Sequence, residues 1–152
     1  MLKHHLLHPQ IIGTLAKAGH SSKVLISDGN YPHVTKRSAV AEMVYLNLSP
    51  GLVNVTDVLK ALVTAIPIET AEVMDYDRTG PYGITQDPPI WNEFRQILHD
   101  AKIDIDLTKI KRFDFYDVAS KPDVCMTIAT GEQRIWSNLL LTVGVVKPPD
   151  MR

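Results

Sequence analysis

The chain has 152 residues, 45% apolar and 22% charged, with a formal net charge of −1. That length accommodates one domain with a proper core. The near-zero charge gives no footing for a nucleic-acid or anionic-membrane partner. The single cysteine, Cys125, excludes an internal disulfide, so nothing points to an oxidising compartment.

No apolar stretch approaches the roughly 20 residues that span a bilayer, and the N-terminus lacks a signal-peptide core. A cytoplasmic protein is therefore expected. His4, His5 and His8 stand close together, but no Cys or carboxylate cluster completes a metal site beside them. A metal is therefore not expected there.

Leu6 to Ala18 reads as a helix, because Leu7, Ile11, Ile12 and Leu15 recur at three- and four-residue spacing. Pro9 suits its first turn and Gly19 the position beyond its end. Lys23 to Ser27 is a short apolar strand that ends in the turn cluster Asp28-Gly29-Asn30. Residues 29 to 41 form a long loop, and Val44 to Leu48 a second strand closed by Pro50-Gly51. Asn54 caps a helix with Asp57 in its first turn, its apolar face running from Val58 to Ile66. Residues 69 to 75 follow as a strand. Residues 76 to 89 then form a surface loop rich in Gly and Pro, too near the end of the chain to link two domains.

Ile90 to Lys102 and Phe113 to Ser120 read as helices, Val124 to Ala129 as a central strand, and Asn138 to Val146 as the last strand. Helices alternating with short apolar strands give an α/β fold. One domain over residues 1 to 152 is expected, with a mixed or mostly parallel central sheet flanked by helices. Strand order is not legible.

No nucleophile elbow, P-loop or dinucleotide-binding glycine pattern is present. What stands out is a set of polar and aromatic residues near strand ends. His20 and Asp28 bracket the first strand; both face one pocket only if His20 folds back over the sheet. Arg112 and Tyr116 are four apart and share a face if one helix holds both. Trp136 and Asn138 lead into the last strand. Singly, each has an ordinary structural reading as cap, turn former, solvated charge or packing residue.

Four segments taken together resemble one family. They are Leu-Ala-Lys-Ala-Gly-His at 15 to 20 running through Val24 to Asp28 and Asn30-Tyr31-Pro32; the Val55 to Ile66 helix with the strand after it; Lys111 to Tyr116; and Thr130-Gly131-Glu132 with Trp136 to Leu141 and Val143 to Val145. The ordered set resembles the ribose pyranase / L-fucose mutarotase family, and Arg-Phe-x-Phe-Tyr looks more like its fucose branch. The resemblance implies a cytoplasmic, ring-shaped homo-oligomer, often a decamer, with a cofactor-free monosaccharide site commonly near a subunit interface. It implies His20 and Asp28 as catalytic groups, with Arg112, Tyr116, Trp136 and Asn138 holding the sugar. The family usually has tyrosine where this chain has Trp136. Tryptophan keeps a stacking face, but its N–H can only donate.

The activity so implied is interconversion of sugar anomers by acid/base-catalysed ring opening and closure. A histidine suits that proton transfer, and a neighbouring carboxylate can fix its tautomer. A non-catalytic sugar-binding relative and a purely structural oligomer subunit are the competing readings.

Overall fold

The computed structural model describes residues 2–151. The elements, in chain order, are α1 (Pro9–Leu15), β1 (Lys23–Ser27), β2 (Glu42–Tyr45), α2 (Val55–Leu62), β3 (Ile68–Asp75), α3 (Pro89–Asp100), β4 (Leu107–Lys111), α4 (Arg112–Ala119), β5 (Val124–Ala129) and β6 (Leu139–Val143), with a short 3₁₀ turn at Pro149–Met151.

Six strands form one mixed sheet in the order β2-β5-β1-β6-β3-β4. β1 and β2 each run parallel to β5, and β3 runs parallel to β4. β6 alone is reversed; it pairs antiparallel with β1 on one side and β3 on the other. The other five strands therefore share one direction, and their carboxyl ends lie at the same edge as the amino end of β6.

The sequence explains why the middle of the sheet is dry. Val24 to Ser27 are all buried, and so are all five residues of β6, Leu139-Leu140-Leu141-Thr142-Val143. A strand covered on both faces has no reason to alternate apolar with polar residues. α1 packs toward β2 and β5, α2 toward β1 and α3, and α4 toward β3 and β4. The fully buried rings of Trp91, Phe94 and Phe115 fill the space beneath the helices.

Most expected elements are present, with shifted ends. The first helix spans only Pro9–Leu15 because the chain leaves helical geometry well before Gly19. The second strand starts earlier, at Glu42, and ends at Tyr45. The last strand stops at Val143, where Gly144 packs against Glu69 and Pro67. α2 begins as expected: Asp57 Oδ2 accepts the Asn54 backbone N–H at 3.0 Å. β4 was not anticipated. It is an edge strand with exposed Thr108, Lys109 and Lys111, so its sequence carries little apolar signal.

The chain crosses itself tightly at Gly131. A Cβ there would meet the backbone oxygens of Ser49 and Leu52, and no flexible side chain is available to yield. Gly131→Ala should lower stability by about 1–3 kcal/mol, the usual cost of overpacking a filled site, read as a reduced urea midpoint with unchanged slope.

Candidate functional site

Because five carboxyl strand ends and the amino end of β6 share one edge, side chains far apart in sequence meet there. Asp28 follows β1, Met74 lies near the end of β3, Arg112 follows β4, and Asn138 precedes β6. They line a cavity of about 400 Å³ together with Asn30, Tyr31 and Tyr116. Tyr82, Ile135 and Trp136 complete its wall from two loops. This volume lies within the range of small-molecule sites, and the location is where open α/β sheets bind ligands.

Asp28 and Asn138 form the floor. The Asp28 backbone N–H donates to Asn138 Oδ1 at 3.0 Å, and Asn138 Nδ2 donates back to Asp28 Oδ2 at 3.1 Å. The Asn30 N–H donates to Asp28 Oδ1 at 3.0 Å, the Asx turn expected of that cluster, and the Ser137 N–H lies 3.4 Å from Oδ2. Burial disfavours the charged carboxylate. It outweighs these donors, and with help from the charge on Glu132 it raises the Asp28 pKa to about 6. Asp28 is therefore a carboxyl group that can take up and release a proton near neutrality.

α4 starts at Arg112, one residue before the expected Phe113, so it holds both Arg112 and Tyr116 one turn apart on one face, and both reach the cavity. Arg112 Nη1 donates to Asp77 Oδ2 at 3.1 Å. A hydrogen bond with Tyr116 is the largest cause of the upward shift of its guanidinium, so the arginine stays charged. Its guanidinium carbon lies 5.7 Å from the Trp136 ring centroid. The Tyr31 and Tyr116 rings meet edge to face at 5.6 Å.

The loop that carries Trp136 is braced from below. Burial alone would raise the Glu132 carboxyl, but Arg134 overcomes it through side-chain and backbone hydrogen bonds and holds Glu132 below its usual range. Arg134 Nη1 also reaches Glu93 on α3 at 2.6 Å. Trp91 Nε1 donates to the Trp136 carbonyl at 2.9 Å. Trp136 adopts φ +62°, which costs a non-glycine residue on the order of 1–3 kcal/mol and is held by these contacts.

His20 is elsewhere. It does not fold back over the sheet. It precedes β1, whose five residues alone span roughly 13 Å. Its Nε2 lies 2.8 Å from Glu69 Oε2 at the start of β3, and its side chain is 53% exposed. So five of the six expected residues, Asp28, Arg112, Tyr116, Trp136 and Asn138, meet in one cavity. The sixth, His20, sits at the opposite end of the sheet in the same chain. Glu69 is a residue the sequence reading did not single out, because its pairing with His20 depends on strand order. Met74, Tyr82 and Ile135 were also missed, since each looks in sequence like a core or loop residue.

The RbsD / FucU transport protein family model matches residues 1–146. The chain belongs to that family. Within the RbsD / FucU family it is 30% identical to the human fucose mutarotase over 146 residues, 93% of this chain and 90% of that protein. It is 28% identical to the zebrafish (Danio rerio) fucose mutarotase over 151 residues, 95% of this chain and 93% of that one. Its fold matches the Streptococcus pneumoniae fucose mutarotase crystallised with L-fucose, with a TM-score of 0.76 at 23% identity, covering 96% of this chain and 100% of that one. The mixed α/β architecture of the RbsD / FucU family is thus the one read from the alternation of elements.

A raised carboxyl pKa sets the sign of a stability effect. Folded Asp28 holds its proton up to about pH 6, while unfolded Asp28 releases it near 3.8. Between those values the native state binds more protons, so its stability falls as pH rises through the window and levels off above it. The contribution is about 3 kcal/mol. Asp28→Asn should flatten that part of the urea-stability profile between pH 4 and 6.

Proposed function

We propose that this protein is a cofactor-independent monosaccharide mutarotase acting on L-fucose or a related sugar. The observation that carries the reading is the cavity itself, where a buried carboxyl titrating near pH 6 is locked to an asparagine beneath an arginine and aromatic walls. Relatives named fucose mutarotase, matched over 93% and 90% of their length, support it.

Mutarotation breaks the bond between C1 and the ring oxygen. One group takes the proton of the anomeric hydroxyl as that oxygen becomes a carbonyl, and another protonates the ring oxygen. Rotation about C1–C2 exposes the other carbonyl face, and the ring oxygen attacks it as both protons return. Asp28 supplies one exchangeable proton site. Asn138 and Arg112 hold sugar hydroxyls, Tyr116 supports Arg112, and the Trp136 face stacks on the ring. Acid/base assistance of about 10²–10⁴-fold is the scale such groups deliver.

The second proton site is His20, contributed by a neighbouring copy. His20 is exposed and lies away from its own cavity, with Nε2 2.8 Å from Glu69 Oε2 and Nδ1 3.5 Å from Ser21 Oγ. In the tautomer that donates from Nε2 to Glu69, Nδ1 is the atom that can take a proton. A histidine already oriented by a carboxylate but facing solvent suits a site completed across an interface. A ring-shaped homo-oligomer, as large as a decamer, provides such interfaces. Exposed apolar side chains such as Leu48 (85%) and Phe113 (74%) support self-association. The described helices include none long and apolar enough to cross a membrane, and the lone cysteine suits a reducing cytoplasm.

The test is subunit mixing. His20→Ala and Asp28→Asn should each lose at least 10²-fold in L-fucose anomer exchange by NMR while remaining folded. Co-refolded together, they should regain part of the activity, because some interfaces then pair an intact His20 with an intact Asp28 cavity. Full activity in either single variant, or no recovery on mixing, would contradict the shared site.

A further inference from the structure

The cavity has a polar side and an apolar side. Asp28, Asn138 and Arg112 are polar, Met74 and Ile135 are apolar, and Tyr82 and Trp136 present ring faces. Met74 belongs to β3, Ile135 and Trp136 to the loop before β6, and Tyr82 to the 76–88 loop. That loop is tied down at several points. The Ile84 N–H donates to the Asp77 carbonyl at 2.9 Å, and Lys109 Nζ bridges to Asp87 at 2.7 Å. Gly80, at φ +84°, makes its turn. At the cavity the tie is Trp136, whose Nε1–H donates to the Tyr82 carbonyl at 3.2 Å.

This bond decides what Trp136 can do. An indole has one donor and no acceptor. With that donor committed to Tyr82, Trp136 offers the sugar a face but neither a hydrogen bond nor a proton. Two indoles then act in series: Trp91 on α3 holds the Trp136 carbonyl, and Trp136 holds the Tyr82 carbonyl. A loop side chain is thereby fixed to the core across the cavity mouth. Tyr82 is 61% exposed, and its hydroxyl makes no hydrogen bond among the described residues.

We propose that Tyr82, latched by the Trp136 indole, is the specificity-determining residue that reads the substituent at C5 of the sugar. The proposal rests on the mutarotase reading and deepens it. The reacting C1, the ring oxygen and the ring hydroxyls need the polar side. The carbon left to face Met74, Tyr82 and Ile135 is C5 with its substituent. An apolar wall favours a methyl group there. A hydroxymethyl loses hydration against Met74 and Ile135 and has only the Tyr82 hydroxyl for a partner, and a hydrogen leaves the wall unfilled.

Three sugars of the same ring configuration separate these cases: L-fucose with methyl, L-galactose with hydroxymethyl, and D-arabinose with hydrogen. Anomer exchange and binding of each are measured by NMR for the wild type, Tyr82→Ala and Trp136→Phe, with thermal unfolding recorded for all. The wild type should favour L-fucose by 10-fold or more in kcat/KM. Tyr82→Ala should reduce that preference to within about threefold, chiefly through KM. Trp136→Phe, which keeps a ring but releases the latch, should give an intermediate loss. Unchanged preference in a folded Tyr82→Ala, with exchange intact, overturns the proposal and leaves the mutarotase reading standing. A wild type that shows no preference among the three sugars has the same consequence. Binding without exchange overturns the mutarotase reading, while preference read from binding still decides the role of Tyr82. A wild type that neither binds nor exchanges any of the sugars overturns both.

Discussion

Placing the Asp28 carboxyl under the end of β1 imposes conditions on everything around it. It is 3% exposed, and a buried carboxyl without partners is costly. The reciprocal pair with Asn138 meets part of that demand, but only if β6 enters the sheet beside β1 with its amino end at the same edge. The single reversed strand of the sheet is therefore what brings a second polar side chain to Asp28. The chain before β6 must then turn sharply, and the left-handed backbone of Trp136, the Glu132–Arg134 brace and the Trp91 hydrogen bond fix that turn. Donors around Asp28 are too few to offset burial fully. The remaining imbalance sets its proton affinity near neutrality.

The same geometry puts two sets of polar groups at opposite edges of the sheet. The carboxyl edge of the sheet carries a cavity lined by one carboxylic acid, an arginine and aromatic rings. The opposite edge carries His20 held by Glu69. A chemistry that needs two proton sites on one small molecule is satisfied when the two edges of different copies face each other. On the mutarotase reading proposed above, self-association is part of the site, because the described cavity does not hold the His20–Glu69 pair.

Much of this was legible in the sequence. The Val24-Leu25-Ile26 run and the Asp28-Gly29-Asn30 turn located the floor of the cavity, since a dry strand ending in an Asx turn needs no tertiary information. The four-residue spacing of Arg112 and Tyr116 placed both on one helix face for the same local reason. Long-range features were not legible. The reversal of β6, the edge strand β4 with its charged residues, and the His20–Glu69 pair 49 residues apart all depend on strand order, which local periodicity does not encode. Tyr82 was hidden differently. Its loop could be recognised from Gly and Pro, but its place at the cavity depends on long-range ties, among them a hydrogen bond from an indole 54 residues away.

The central claim is that this cavity catalyses ring opening of a sugar. Its most direct test is exchange NMR on the anomeric protons of L-fucose, with and without the unmodified protein across pH 5 to 8. The account predicts α/β exchange well above the buffer rate, saturating with sugar and changing slope near pH 6. Exchange indistinguishable from buffer at every pH, for L-fucose and for D-ribose alike, would contradict it.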